Sequence, residues 1–351
     1  MRKQPRNRPG GGVEKWPVSA ALQGFYDWIK FRRPTSVCLD VCSLCNLNCA
    51  GCPMRKNNFC GRGAGYLTFE NFKKFIDKNR FIKHIEISNT GEPFLNPDII
   101  KIMEYARLKK VALSAWGGSN FNEMSDAVLE AIAKTGVVGI CIALDGARQE
   151  TYSAYRRGGD FGRVIANIKK FNEYKKIHNA ETKLYWQYII LPTNESPDEI
   201  RAAKALAASL SMEMYFIRDW GNWRPAIDKR PEIERETGIE FVSNSLGRPS
   251  FVPPEDALKV LACRHLWDAP QLSWDGRMFG CSANRDLEFG GNAFSDGLAA
   301  CMKRGLYADT KKMLMGGRAA AGSPCAGCYF YKRRKKGPEL WAEEIPKKTN
   351  Q

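Results

Sequence analysis

Three cysteines packed into eight residues constrain this chain more than any other feature in it. They lie in Cys45-Asn46-Leu47-Asn48-Cys49-Ala50-Gly51-Cys52, spaced Cys-x3-Cys-x2-Cys, directly after an apolar run. Three thiolates on one short loop can each ligate one iron of a four-iron cluster, leaving the fourth iron open to a non-protein ligand. An open coordination position is a reactive one, so the fold must present this loop where something can reach it. Cys38, Cys42 and Cys45 repeat the same spacing and overlap it. The later register is preferred on physical grounds. Cys38 and Cys42 share an extended run with Val37, Leu39 and Val41, where a sheet ladder fixes side chains to alternate faces. Asn46, Asn48, Gly51 and Pro53 instead supply a loop able to wrap a cluster. Zinc and unliganded thiols remain as alternatives. Cys60 and Cys141 read as structural cysteines.

At 351 residues the chain has room for one large domain and a smaller module, and its 44% hydrophobic content can bury a core. No apolar run approaches the ~18–20 residues of a membrane span, and residues 1–12 lack the apolar middle of a secretory signal. The expectation is a cytoplasmic protein whose 12 cysteines are thiols or metal ligands rather than disulfides. Half of the net charge of +16 lies at the ends: five basic residues against one acidic up to Lys15, and seven against three from Tyr329. These tails are either solvated ends or contacts for an acidic partner such as nucleic acid or an anionic substrate. Residues 1–16 read as a disordered basic tail. Residues 17–34 read as a helix, with Leu22, Phe25, Trp28 and Ile29 on one face and Pro34 ending it.

From Ser36 the pattern alternates strand and helix. Strands are expected at 36–42, 82–88, 111–116, 137–144, 183–191 and 212–218. Between them, Thr68 caps a helix to about Lys78, Asn96-Pro97-Asp98 opens one to Lys109, and Ser125 opens one that Gly136 closes. Asp160 begins a helix to about Lys176, and Ser196-Pro197-Asp198-Glu199 forms a capping box for a helix to Leu210. Six such units predict an α/β fold, a partial (β/α)6 barrel over 35–220, with chemistry at the carboxyl ends of the strands. Residues 221–257 read as a linker or substrate-covering segment with weak periodicity. A smaller α+β module follows over 258–335, with a hairpin at 271–281 about Asp275-Gly276 and two short helical stretches, then a tail over 336–351.

The cysteine loop resembles the cluster loop of the radical S-adenosylmethionine (SAM) enzymes, with Gly51 in place of the aromatic residue often found there. Two further segments carry the resemblance. Asn89-Thr90-Gly91-Glu92-Pro93 follows the second strand, where the family binds the methionyl amine of SAM. Ile142-Ala143-Leu144-Asp145-Gly146-Ala147, followed by Thr151, Tyr152, Tyr155, Arg156 and Gly158, resembles the family's fourth strand and its Tyr-Arg element. The resemblance implies Asp145 near the cofactor ribose and Arg156 near its carboxylate. Ala143 stands where relatives often carry a serine. Ser114-Ala115-Trp116-Gly117 is placed at the end of the third strand, with Trp116 either near the adenine or in the core. Gln187 and Asn194 flank the fifth strand as cofactor or substrate contacts.

Cys263, Cys281, Cys325 and Cys328 come from three segments and can ligate a second cluster or a zinc ion. After such a barrel they resemble the twitch or SPASM extension, here in its shortened one-cluster form, with Cys301 read as core. The implied cofactors are SAM and two [4Fe-4S] clusters, and the implied donor is a low-potential flavodoxin or ferredoxin. Arg218, Trp220 and Trp223 are expected at the barrel mouth against substrate, with Asp219 as a positional choice for general base. The expected activity is oxidation of a small carbohydrate-like or nucleotide-sugar-like substrate after hydrogen abstraction. The enzymatic alternative is a peptide-modifying maturase, disfavoured because only 44 residues precede Cys45. The alternative from another class is a zinc-stabilised nucleic-acid-binding protein.

Overall fold

The structure is a computed structural model. It describes residues 34–52, 54, 61–218, 229–239, 265–281, 287–314, 318, 320–328 and 331. The expected tails, the helix over 17–34 before Pro34, and Pro53, Cys60, Asp219, Trp220, Trp223 and Cys263 lie outside the described residues.

Six parallel strands stand in the order expected of successive strand–helix–strand crossovers. They are β1 (Ser36–Leu39), β2 (His84–Glu86), β3 (Ala112–Ser119), β4 (Gly139–Ala143), β5 (Lys183–Ile190) and β6 (Glu213–Arg218), each hydrogen-bonded to the next. The intervening helices are α1 (Phe69–Lys78), α2 (Ile99–Leu108), α3 (Asp126–Thr135), α4 (Gln149–Tyr155), α5 (Phe161–Ile177) and α6 (Pro197–Ser209). Four of the expected caps form: Thr68, Ser125, Asp160 and Ser196 each accept a backbone N–H with the side chain. Gly136 closes α3 in the left-handed region at φ 72°.

Paired residues share a face of the sheet, and successive residues alternate. One face is apolar: Val37, Leu39, Ile85, Leu113, Ile140, Ile142, Leu184 and Trp186 are buried with the apolar faces of the helices. The opposite face carries Cys38, Glu86, Ser114, Cys141, Tyr185, Gln187 and Tyr215, whose registers align across the ladder. The fold therefore presents a polar and aromatic surface on the side away from its helices.

Three expectations are corrected. The strand expected to end near Trp116 runs on to Ser119. Ala115 pairs with Ile140 and Ser119 with Ile142, so β3 takes four steps where β4 takes two. This bulge frees N–H groups, and the Glu86 carboxylate accepts them, from Trp116 N at 2.9 Å and Gly117 N at 3.2 Å. Gly117 is obligatory here for space, since a Cβ on it would lie 2.2 Å from the Ser88 carbonyl oxygen. The second correction concerns α2, which begins after Asp98 rather than at Pro97. Asn96 accepts the Asp98 N–H at 2.7 Å and donates to the carbonyls of Val41 and Leu67, tying this turn to the end of β1. Third, the segment read as a linker contains a helix, α7 (Arg230–Thr237), held on α6 by Arg201 and Lys204 to Glu236.

Beyond β1 the sheet continues. β7 (Gln271–Leu272) runs parallel to β1, β8 (Arg277–Phe279) returns antiparallel through Gly276 at φ 90°, and β9 (Glu288–Asn292) follows. The expected hairpin thus forms as part of one nine-stranded sheet. Helices α8 (Leu298–Lys303) and α9 (Gly305–Leu314) complete the module. Among the described residues no helix is long and apolar enough to cross a membrane.

Candidate cofactor site at the carboxyl edge of the sheet

The cysteine loop leaves the carboxyl end of β1 and is held from two sides. On one side Gly91, at φ 62°, brings its backbone against Cys42–Leu44, where an added Cβ would lie 2.4 Å from the Cys42 carbonyl oxygen. Glu92 N donates to Leu44 O at 2.8 Å. On the other side Asn48 N donates to Arg157 O and Ala50 N to Tyr155 O, both at 2.9 Å, so the loop lies along the end of α4. Gly51 faces Tyr155, whose hydroxyl would be 2.8 Å from an added Cβ. A larger residue would push the tyrosine away, which accounts locally for glycine at this position. Cys45 is exposed, Cys52 half-buried and Cys49 buried, whereas Cys38 and Cys42 are enclosed. Burial pushes the thiol of Cys42 up to about 12. Burial also raises Cys49, opposed by the Arg156 guanidinium beside it.

Two polar units converge on the loop. The first is built on Glu92, 3% exposed in the segment that follows β2. Its carboxylate accepts Asn120 N at 2.6 Å, Ser119 Oγ at 2.7 Å and Phe94 N at 3.4 Å. Burial drives its pKa up to about 7, against the downward pull of those donors. The second is the pair Asp145–Arg156. Asp145 is fully buried in the left-handed region at φ 52°, and both Nε and NH2 of Arg156 lie 2.5 Å from its Oδ2. Ile189 N donates to its other oxygen at 2.6 Å. Burial raises the Asp145 pKa, with Arg156 pulling it back; burial alone would lower Arg156, but Asp145 and then Cys49 outweigh it and raise it. Arg156 NH1 also donates to Cys49 Sγ at 3.7 Å.

The other expected contacts are distributed unevenly. Gln187, expected to flank the fifth strand, lies within β5 instead, buried on the polar face and close to Cys141. Trp116 is 37% exposed there, its ring against Gly139 and 5.0 Å from that of Tyr185. Ser114 lies deeper than expected: it is fully buried, bonded to Glu86 at 2.6 Å and to His84 at 2.8 Å, because the strand continues past it. Asn194 is used inside the fold, donating to the carbonyls of Asp145 and Ile189. Arg218 ends β6 half-buried. Pro93 opens the short turn that Glu92 caps. Sequence reasoning missed Asn120. The signal was present in Ser119-Asn120 after an apolar strand, but Ser114-Ala115-Trp116-Gly117 read as the strand's end.

In the C-terminal module Cys281, two residues past β8, is buried, as are Cys325 and Cys301, while Cys328 is half-buried. Cys328 N donates to Cys325 O at 3.1 Å, a tight turn. Burial raises the pKa of Tyr307, and Cys325 and then Cys281 raise it further, while its hydroxyl donates to Leu266 O at 2.9 Å. Among the described residues no three His, Cys, Asp or Glu side chains are arranged to hold a single metal ion. Cysteines of a four-iron cluster each bind a different iron, so their sulfurs stand farther apart than ligands of one ion.

A mainly parallel α/β sheet with a cysteine loop at the carboxyl edge of its first strand defines a class that does chemistry at that edge. Residues 40–207 match the radical SAM superfamily, and the chain carries a radical SAM domain. Over 136 residues it is 27% identical to the mycofactocin maturase MftC of two Mycobacterium tuberculosis strains, a stretch covering 38% of this chain and 34% of theirs. The match thus spans about a third of those relatives. Among solved structures, Streptococcus suis SuiB bound to precursor peptide SuiA superposes with a TM-score of 0.61 at 14% identity, covering 93% of this chain and 78% of that one. SuiB bound to S-adenosylmethionine gives 0.59 at 15%, covering 89% and 75%. Native anSMEcpe with bound AdoMet gives 0.54 at 14%, covering 85% and 87%. At these identities the shared property is the fold.

Proposed function

We propose that Cys45, Cys49 and Cys52 hold a [4Fe-4S] cluster and that this radical SAM enzyme cleaves S-adenosylmethionine at it. One observation carries the reading: units from the ends of β2, β3 and β4 converge on the same loop, reaching Cys45 through Asn120 and Cys49 through Arg156. The donor set fits the group, since three cysteines share one loop and N–H donors face two of the sulfurs. When bound, the cluster and SAM supply a 5′-deoxyadenosyl radical that abstracts a substrate hydrogen. The residues here have holding roles. Gly91-Glu92-Pro93 shapes the amine end of the cofactor site, with Glu92 fixed by Ser119 and Asn120. Asp145 and Arg156 flank its ribose and carboxylate. Gln187 and Trp116 stand on the polar face where the rest of the cofactor and the substrate would meet the sheet.

Cys281, Cys325 and Cys328, with Cys263, are read as ligands of an auxiliary [4Fe-4S] cluster of twitch or SPASM type, an electron acceptor for a two-electron oxidation. A small carbohydrate-like or nucleotide-sugar-like substrate suits Arg218 and the aromatic residues after β6. A second reading, peptide modification, is favoured by the curated relatives, which are named maturases. The low-potential donor would be a flavodoxin or ferredoxin.

The experiment is anaerobic reconstitution followed by SAM and dithionite. Expected are roughly eight irons per chain for two clusters and formation of 5′-deoxyadenosine, lost in Cys45→Ala, Cys49→Ala and Cys52→Ala. Iron-loaded protein that leaves SAM intact refutes the reading. Deuterated peptide and sugar pools then separate the substrate classes by which one transfers deuterium to 5′-deoxyadenosine.

A further inference from the structure

Asn120 stands one residue past β3 and is 6% exposed. Every polar group on it is committed. Its backbone N donates to Glu92 Oε2 at 2.6 Å, and its carbonyl accepts Asn122 Nδ2 at 3.1 Å. The side-chain amide is oriented by chemistry rather than by choice. Oδ1 accepts the Asn122 backbone N–H at 2.9 Å, which only an oxygen can do. The NH2 group must therefore face the cysteine loop, where it lies 2.8 Å from Asn46 Oδ1 and 3.6 Å from Cys45 Sγ. Asn122 is itself pinned, donating to the Tyr152 hydroxyl at 2.7 Å and accepting Asp160 N at 2.7 Å. A donor held this firmly against a sulfur has an electrostatic consequence. Reduction adds negative charge to a cluster, and an N–H···S bond stabilises that charge.

We infer that Asn120 is a positioning residue for the cysteine loop, setting the reduction potential of the cluster held by Cys45 through an N–H···S hydrogen bond. This rests on the proposal that Cys45 is a cluster ligand. It goes beyond that proposal by assigning the tuning of the electron-accepting step to a side chain that neither binds iron nor is expected to touch SAM. The step is one electron from the external donor into the cluster, with no bond formed or broken. Leu47 N also lies 3.4 Å from Cys45 Sγ, but it belongs to the loop itself and survives any change at position 120. Asn120 is thus the separable donor at Cys45.

The test is redox titration of the reconstituted protein followed by electron paramagnetic resonance, tracking the signal that changes when SAM is added. Asn120→Ala is expected to keep the iron content of the wild type and to move the midpoint negative, so that the reduced fraction at a fixed potential falls roughly tenfold, the worth of one charge-assisted hydrogen bond. Asn120→Asp keeps the acceptor for Asn122 N and replaces the donor with a second oxygen, and should shift the midpoint further in the same direction. In the wild type, exchange into D2O should alter the proton hyperfine coupling of that signal, an effect that both variants should reduce to the part carried by the Leu47 N–H. Cys45→Ala reports on the underlying reading. If Cys45→Ala keeps the SAM-sensitive signal, both proposals fall. If Cys45→Ala loses it while Asn120→Ala and Asn120→Asp keep the wild-type midpoint, the ligand reading stands and the Asn120 inference is overturned. If neither variant holds iron, an unchanged hyperfine coupling of the wild type in D2O overturns the inference alone.

Discussion

Replacing Arg62 with methionine tests whether the segment after the cysteine loop is locked to the sheet by a buried ion pair. Arg62 Nε lies 2.6 Å from Asp40 Oδ2, and both side chains are completely buried. Asp40 follows β1, five residues before Cys45, and also accepts Asn89 Nδ2 at 3.2 Å. The guanidinium sits 4.2 Å above the Phe279 ring, while the Arg62 carbonyl accepts Trp274 Nε1 at 3.2 Å and Arg277 NH2 at 2.7 Å. Burial raises the Asp40 pKa and Arg62 pulls it back. Arg62→Met removes the opposing term and leaves a buried carboxylate with only neutral donors. Losing one partner of such a pair costs about 3–5 kcal/mol. The cost has a pH signature. With its folded pKa raised above the unfolded one, Asp40 binds a proton more readily in the native state, so the variant loses stability as pH rises past the ordinary carboxylate range. Asp40→Asn combined with Arg62→Met removes the charge as well and should recover about 2 kcal/mol or more of the single loss. The assay is anaerobic urea unfolding at pH 5 and pH 8 for the two single variants and the double. If Arg62→Met lies within about 1 kcal/mol of wild type at pH 8, or the double variant is no better than the single, the reasoning is refuted.

Gly91→Ala should lose roughly 1–2 kcal/mol from the left-handed backbone alone, and more from the clash with the Cys42 carbonyl; unchanged thermal stability and SAM affinity would contradict this. Glu92 is raised to about 7, so wild-type stability should fall by about 3 kcal/mol as pH rises from the carboxylate range through neutrality. Glu92→Gln should flatten that dependence, and parallel pH curves for the two proteins would rule the cause out. If Cys325 and Cys328 hold the auxiliary cluster, Cys325→Ala should lower iron from roughly eight to roughly four per chain while 5′-deoxyadenosine still forms; unchanged iron counts against their role as ligands.

The features legible in the sequence are those whose physics is local. Thr68, Ser125, Asp160 and Ser196 cap helices because a short side chain reaches an N–H two or three residues ahead, and the pattern needs nothing from elsewhere. The strand order follows from the right-handed crossovers that alternating strands and helices impose. Misreadings occur where a local signal is overruled by a distant group. Glu199 has the capping-box position, yet its carboxylate turns to Ala147 N, Thr151 and Arg148 and braces the segment leading to Arg156. Asn96 looks like a helix cap and instead joins two carbonyls, of Val41 just past β1 and of Leu67 just before the cap of α1. Gly117 looks like the end of the third strand, but it is there because Ser88 comes too close for any side chain.

That last misreading bears on the chemistry. The cysteine loop announces itself because its ligands are contiguous, whereas the groups that govern its sulfurs come from β3 and α4. The N–H groups of the bulge are taken up by Glu86, a residue on β2 that no motif marks. By carrying β3 past the glycines, the bulge delivers Ser119 and Asn120 to Glu92 and Cys45 instead of ending the strand at Trp116. Glu86 thus acts on the site at one remove, by holding the bulge that carries the chain to Asn120. A loop of this kind can be recognised from spacing alone, but the hydrogen bonds that tune it are tertiary and come into view only once the strands are in register.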